Sequence, residues 1–214
     1  MRVPGPPRPA AARRRIFLLS PANAGGERAG LLLRTGAPFP LARAVQSAEG
    51  APLAEVFRFT SGLYFRGKLA YADRFARPPP GLPGALVITP GAGLVPPEVR
   101  VRAAELRAFA AVPVDPREPR YREPLERAAH LVDDAIGARC DVVLLGSIAS
   151  GKYVDVLLGV FAERLLFPEA FVGRGDMSRG GLMLRCARAG EELAYVPVAG
   201  AVRHGPRPPR LPRR

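Results

Sequence analysis

The sequence contains few lysines and asparagines. Of its 32 basic residues only Lys68 and Lys152 are lysines, and Asn23 is the single asparagine. Such a composition is typical of a GC-rich coding bias, which replaces lysine by arginine. Because arginine cannot imitate the compact ammonium group of lysine, the two remaining lysines are candidates for a chemical role.

Long apolar runs and clustered cysteines are also missing. No apolar run approaches the ~18 residues that are needed to cross a bilayer. The run at residues 16–19 follows three arginines but is shorter than the ~7 residues of a signal-peptide core, so we expect a cytoplasmic protein with no membrane contact. Cys140 and Cys186 stand alone in the sequence, which predicts free, buried thiols in a reducing compartment. Two isolated histidines and two isolated cysteines predict no metal site, and we expect no cofactor.

The net charge of +13 is concentrated at the two ends of the chain. Residues 1–15 and 203–214 each hold five arginines and no acid, which leaves +3 for residues 16–202. Both ends are rich in proline as well. We therefore predict disordered basic tails at 1–15 and 203–214 around a single domain at 16–202. Such tails either add nonspecific affinity for phosphates or serve only as solubilising segments.

Strand and helix patterns alternate along the central part of the chain. Apolar runs predict strands at residues 16–20, 85–89 and 141–145, and a glycine-rich turn follows each of them. Helices are predicted at residues 27–34, 62–76, 123–136 and 153–166. Uniformly apolar strands between helices indicate parallel pairing. The pattern predicts an α/β three-layer sandwich with a mainly parallel central sheet, and residues 182–187 and 193–198 predict a C-terminal β-hairpin.

The most specific motif is a possible phosphate-binding turn after the third strand. Gly146-x4-Gly151-Lys152 has the spacing of a phosphate-binding loop, and it lies between a strand and a helix as that motif requires. Tyr153, however, stands where the motif needs a Ser or Thr to hold Mg²⁺. We expect a looser phosphate or nucleic-acid backbone site, or else a tight structural turn. The residues of this candidate site are Gly146, Ser147, Ser150, Gly151 and Lys152.

The polar segment at residues 173–181 is a second candidate. It predicts a mobile loop in which Asp176 acts as a base or is held by arginines, while Arg174 and Arg179 meet phosphate. The alternative is a structural Asp–Arg pair in a tight loop. His130, Ser147, Ser150 and Asp155 lack the spacing of a Ser-His-Asp triad, so we discard hydrolase chemistry of that type.

The ends of the first two strands complete the predicted site. The carboxyl ends of parallel strands share one edge of the sheet, and ligands bind at that edge. Ser20 and Asn23 would therefore face a ligand, although Asn23 could instead cap the following helix. Thr89 and Gly93 would shape the floor of the site.

Several segments resemble one known domain. They are Leu86-Val87-Ile88-Thr89-Pro90, Gly93-Leu94-Val95-Pro96-Pro97-Glu98, Val112-Pro113-Val114-Asp115 and Cys140-Asp141-Val142-Val143-Leu144, together with Tyr153. Over residues 16–165 the chain is similar to the domain of unknown function attached to archaeal tRNA-guanine transglycosylases and archaeosine synthases. The resemblance implies a uracil-DNA-glycosylase-like fold and a role near tRNA modification. The synthase has a Pro-Cys, lysine and Pro-Tyr pattern in its first strand-end loop. Here residues 20–27 have no cysteine and no lysine, so the synthase reaction is not implied.

Three functions remain open at this point. The first is binding of a nucleic acid or of a nucleotide at the glycine-rich turns, and RNA is favoured over DNA. The second is an enzyme acting on a small nucleotide or sugar phosphate, with Asp176 as base and Lys152 as the group that holds the phosphate. The third is a noncatalytic accessory protein whose glycine turns are only structural.

Overall fold

The computed structural model describes residues 13–209, which form eight helices and eight strands. In chain order these elements are β1 (Arg14–Leu19), α1 (Glu27–Leu33), α2 (Pro40–Gln46), β2 (Ala51–Pro52), α3 (Leu53–Ser61), α4 (Leu63–Phe75), β3 (Ala85–Thr89), β4 (Gly93–Val95), β5 (Arg100–Val101), α5 (Ala103–Ala110), α6 (Pro119–Ile136), β6 (Cys140–Leu145), α7 (Gly151–Phe161), β7 (Leu165–Pro168), α8 (Asp176–Ala189) and β8 (Tyr195–Pro197).

A six-stranded sheet in the order β4-β3-β1-β6-β7-β8 forms the centre of the fold. The four inner strands are parallel, whereas β4 and β8 pair antiparallel at the two edges. The predicted α/β class with a mainly parallel sheet is therefore confirmed. Strands β2 and β5 form a separate two-residue ladder.

Helices cover both faces of the sheet because every inner strand is apolar on both sides. Along β1, Phe17 and Leu19 belong to one buried cluster, and Ile16 and Leu18 belong to the other. The first cluster includes side chains of α1–α5 and α8, and the second includes side chains of α6 and α7. This arrangement gives three layers, and residues that are buried on both faces of the sheet are expected of parallel strands.

The helices α4 and α8 approach each other at two glycines. A Cβ atom at Gly67 would lie 2.6 Å from the Gly180 carbonyl oxygen, and one at Gly180 would lie 2.8 Å from the Leu63 carbonyl oxygen. The two backbones are therefore in direct contact. This close crossing places the first turns of α8 against the first turns of α4.

Three predictions about the C-terminal third were wrong in detail. A pair of antiparallel C-terminal strands is present, but residues 182–187 belong to α8, and the strand that pairs with β8 is β7. The segment predicted as helix at 153–166 is helical only to Phe161 and then reverses at Ala162, where φ is +48°. Because that backbone conformation usually needs glycine, the sequence carried no signal for the reversal. Asp176 likewise lies at the start of a helix and not within a loop.

The predicted tails lie partly outside the described residues. Residues 1–12 and 210–214 are outside them, so disorder there stays a prediction. Arg14 and Arg15 belong to β1, which begins two residues before the predicted domain start. At the other end Arg203 pairs with Asp155 at 3.6 Å, so the described part of the C-terminal segment contacts the domain.

Two further expectations can be compared with the described part of the chain. Cys140 and Cys186 are free and buried, as predicted. Along residues 13–209, no helix combines the length and the apolar character that crossing a membrane requires.

Candidate functional site

The candidate site lies where the strand order of the sheet reverses. From β1 the chain crosses to β3 on one side, and later to β6 and β7 on the other side. In open α/β sheets, ligands bind outside the carboxyl ends of the strands at such a reversal. A cavity of about 570 Å³ opens there, within the ~300–1,000 Å³ that is typical of small-molecule sites.

Half of the predicted site residues lie on the wall of this one cavity. They come from the end of β1, the turn between β6 and α7, and the start of α8. The six are Ser20, Asn23, Ser147, Ser150, Lys152 and Asp176. The strand-end turns therefore meet at one place, as the parallel topology predicted.

The amino end of α7 gives the cavity a positive side. This helix has 11 residues, Ser150 is its N-cap, and Lys152 lies in its first turn with its side chain exposed. The first N–H groups of a helix and its dipole favour an anion. The Asp155 carboxylate packs against Gly151 at this end of the helix. A Cβ atom at Gly151 would lie 2.1 Å from one of its oxygens.

A buried lysine stands behind the end of β1. Lys68 of α4 is 0% exposed, and its ammonium nitrogen donates to the Ser20 carbonyl oxygen at 2.8 Å and to the Ser20 hydroxyl oxygen at 2.6 Å. The Tyr64 ring centre lies 3.9 Å from the same nitrogen. Burial lowers the pKa of Lys68 to about 7, an effect that Arg179 reinforces and Asp176 opposes. The turn at Ser20 has no lysine in its own sequence. The Lys68 side chain from α4 contacts it in the folded chain.

Tyr153 holds the other side of Ser20. Its hydroxyl accepts a hydrogen bond of 3.1 Å from the Ser147 backbone N–H and faces the Ser20 hydroxyl. A Cβ atom at Gly146 would lie 2.9 Å from the Ser20 Cβ and 3.0 Å from the Tyr153 hydroxyl oxygen. Glycine at 146 is therefore required for Tyr153 to reach Ser20. Burial raises the pKa of the Tyr153 hydroxyl, which keeps this group protonated.

Arg179, Asp176 and Tyr64 form a polar group beside the buried lysine. Arg179 is buried, donates to the Phe171 carbonyl oxygen at 3.2 Å through two nitrogens, and lies 3.5 Å from Asp176. Asp176 keeps 66% of its side chain exposed. The Tyr64 hydroxyl is buried, and no atom of the described residues meets the geometry of a hydrogen bond with it. Burial raises the pKa of this hydroxyl, with Arg179 acting in the opposite direction.

The other six predicted residues are not on the cavity wall. Gly146 and Gly151 shape the turn that leads into α7, and Arg179 is buried beside Asp176. Thr89 is buried and donates to the Gly93 carbonyl oxygen at 3.0 Å. Gly93 packs against α6, because a Cβ atom there would lie 2.4 Å from the Pro124 carbonyl oxygen. Both residues therefore build the β3–β4 turn and do not form the floor of the site. Arg174 donates to the Ala170 carbonyl oxygen at 2.9 Å and to the Ser178 hydroxyl at 3.2 Å, and it does not line the cavity.

Asn23 does not cap the helix that follows it. Its side-chain oxygen accepts from the Gly25 backbone N–H at 3.0 Å, and the N-cap of α1 is Gly26. This local bond shapes the turn after β1 and keeps the exposed Asn23 side chain on the cavity wall. Of the two interpretations of Asn23, the cap is wrong.

Two important residues were missed as site residues. Lys68 and Tyr64 lie on a helix whose aromatic spacing predicts core, and both are indeed buried. The only available signal was the rarity of lysine. That signal singled out Lys68, but it did not indicate that Lys68 contacts Ser20.

The described residues contain no group of three or more His, Cys, Asp or Glu side chains that could hold a metal ion. The groups available at and beside the cavity are two amines, a guanidinium, a carboxylate and several hydroxyls.

In comparisons with known proteins, no family model, no curated protein and no solved structure matches this chain.

Proposed function

We propose that the chain binds a nucleotide, either free or as part of an RNA strand, in the cavity at the carboxyl ends of β1 and β6. The observation that carries this proposal is the meeting of the α7 amino end and Lys152 with a polar cavity at the strand-order reversal. A phosphate would accept hydrogen bonds from the first turn of α7 and pair with Lys152.

The charge around the cavity supports an anionic ligand. Lys152 lines the cavity, and the buried Arg179 lies next to Asp176, the single carboxylate among the lining residues. The Asp155 carboxylate at the amino end of α7 pairs with Arg203 at 3.6 Å.

Other polar groups of the cavity wall suit the rest of a nucleotide. Ser20, Asn23 and Ser61 line it together with the Tyr64 side chain. Hydroxyl and amide groups can donate to and accept from a base or a ribose.

We also propose the kinship with the domain of tRNA-modification proteins, including its uracil-DNA-glycosylase-like fold. The positions of the segments that resemble this domain support the proposal. These segments include β3, β4 and β6, and Val114 and Tyr153 line the cavity. An RNA nucleotide is the ligand class that this kinship implies.

A titration of the full-length chain with AMP, GMP, CMP and UMP tests the proposal. We expect one saturable site, with affinity reduced about tenfold in Lys152→Met, since a charge-assisted hydrogen bond contributes ~1.5 kcal/mol. Arg127→Met is the matched control, because Arg127 is an exposed cation outside the cavity wall. An equal loss in both variants would show that only net charge matters.

A second candidate function is catalysis on a small nucleotide or sugar phosphate, with Asp176 as base. The observation in its favour is that Asp176 and Lys152 line the same cavity. Asp176→Asn should then abolish turnover of such a substrate while leaving mononucleotide affinity within about threefold. If no mononucleotide binds at all, the noncatalytic accessory role is the better account.

A further inference from the structure

The positions of Ser20 and Lys68 relative to the cavity suggest chemistry beyond binding. Ser20 lines the cavity, whereas Lys68 is fully buried and does not. The Lys68 nitrogen lies 2.6 Å behind the Ser20 hydroxyl oxygen, and the Tyr64 ring covers the nitrogen at 3.9 Å. Ser20, which is 5% exposed, therefore stands between the cavity and the lysine.

The surroundings of Lys68 favour its uncharged form near neutral pH. No carboxylate within residues 13–209 forms an ion pair with it at the 4.0 Å limit. Asp176 and Arg179 face it from α8, Tyr64 faces it from its own helix, and Tyr153 of α7 stands beyond Ser20. Burial lowers the pKa of Lys68 to about 7. Above that pH the amine has a lone pair that can accept the serine proton.

We propose that Ser20 is a nucleophile with Lys68 as its general base, and that the pair transfers the acyl group of a carboxylic ester. A weak hydroxyl nucleophile needs an adjacent base within hydrogen-bond reach, and a desolvated lysine is one such base. The inference uses the same cavity as the proposed function but does not require that the ligand be a nucleotide. The positive end of α7 would favour esters that carry an anionic group.

The reaction proceeds in two balanced halves. Lys68 takes the Ser20 hydroxyl proton while the serine oxygen bonds to the ester carbonyl carbon, and an electron pair moves to the carbonyl oxygen. When that pair returns, the bond to the alcohol oxygen breaks, and the alcohol leaves with the proton from Lys68. Water then attacks the acyl-serine in the same way, which releases the carboxylic acid and restores the Ser20 hydroxyl. Tyr153, held by the Ser147 N–H, can donate a hydrogen bond from its hydroxyl to the developing oxyanion.

Covalent labelling of the full-length chain tests this inference. The chain is incubated with an alkyl fluorophosphonate, and intact-mass and peptide mass spectrometry locate the adduct. We expect one adduct, on Ser20, whose rate of formation rises with pH to a plateau, with its midpoint near 7. Release of p-nitrophenol from p-nitrophenyl acetate should show the same pH dependence.

Matched variants separate the dyad from general serine reactivity. Ser20→Ala should lose the adduct, and Ser47→Ala, which changes an exposed serine outside the cavity wall, should keep it. Lys68→Met should slow labelling by at least ~100-fold, the usual contribution of a general base. Because this variant removes a buried charge, its fold is checked by circular dichroism, and if it does not fold, the pH midpoint of the wild-type chain decides.

Two results would overturn the inference. One is the absence of any Ser20 adduct across pH 6–9, and the other is a labelling rate that does not change with pH through 7. Neither result affects the proposed binding function. Binding is measured separately, by mononucleotide titration of the wild-type chain and of Lys152→Met.

Discussion

The Lys68 nitrogen lies within hydrogen-bond distance of both oxygens of Ser20, 2.8 Å from the carbonyl and 2.6 Å from the hydroxyl. These two residues are 48 positions apart in the sequence. Ser20 follows the first strand of the sheet, and Lys68 projects from the helix that packs against α8. The contact thus connects the central strand of the sheet to the helical layer at the point where the cavity opens.

The stability of the protein should depend on pH because of Lys68. Its pKa is about 7 in the folded chain, against 10.5 as the ordinary value. Between these values the unfolded chain binds more protons, so the free energy of unfolding should rise with pH from 7 upward. The cost of burying the charged amine is fully present below pH 7, and it is on the order of a few kcal/mol at most.

Urea unfolding at pH 6.5, 7.5 and 8.5 measures this dependence. Lys68→Met has no amine, and it should lose the rise that the wild-type chain shows. Because other groups titrate in the same range, the difference between the two chains at each pH is the relevant quantity. Parallel curves for both chains would contradict a lowered pKa at Lys68.

Gly146→Ala should destabilise the protein and disturb the cavity. The added Cβ would lie 2.9 Å from the Ser20 Cβ and 3.0 Å from the Tyr153 hydroxyl oxygen, and such overpacking costs about 1–3 kcal/mol. In Gly159→Ala, by contrast, the new methyl group lies on the exposed side of α7 and meets nothing within 4 Å. That variant should gain about 1 kcal/mol from helix propensity. Urea unfolding of both variants checks the opposite signs.

The crossing of α4 and α8 should be equally sensitive to one methyl group. A Cβ at Gly180 would lie 2.8 Å from backbone atoms of Leu63 and Tyr64, so Gly180→Ala should cost about 1–3 kcal/mol. Gly30→Ala, in α1, has open space around the new methyl group and should be neutral or slightly stabilising. If thermal unfolding shows equal midpoints for both variants, the close approach of the two helices is incorrect.

Much of the fold follows from local sequence patterns. The apolar run Ala85–Ile88, followed by Thr89 and a proline-glycine turn, predicted β3 at its observed limits. A strand that is buried on both faces has few polar residues along its length. Helices α2, α3 and α5 lie in segments that the sequence left unassigned. Their apolar faces pack on partners distant in the chain, and proline and glycine interrupt the neighbouring segments.

The candidate site was predictable only where its residues follow strands. Ser20 and Ser147 could be placed together because parallel strands end at the same edge. Lys68 could not be placed beside them, since its position depends on how α4 packs on the sheet and on the glycine contact with α8. Thr89 was misplaced because β3 turns back into β4 and so leads away from the cavity.

A partly buried ion pair at the opposite end of β1 should matter for stability but not for binding. Arg15 pairs with Glu192, which also accepts from the Tyr195 hydroxyl at 2.9 Å, and the Tyr195 and Tyr71 hydroxyls lie 2.7 Å apart. Glu192→Gln leaves Arg15 without a matched charge and should cost about 3 kcal/mol. Urea unfolding measures the loss, and mononucleotide affinity should stay unchanged. A large change in affinity would place this network in the binding site.

The most direct test of the binding function is a map of backbone amide chemical shifts in the full-length chain during titration with AMP. We expect saturable chemical-shift changes at Ser20, Ser147 and Lys152, around the carboxyl ends of β1 and β6. The arginines of either terminus should change little. Shifts confined to those terminal arginines, or no saturable shifts at all, would contradict a nucleotide site in the cavity.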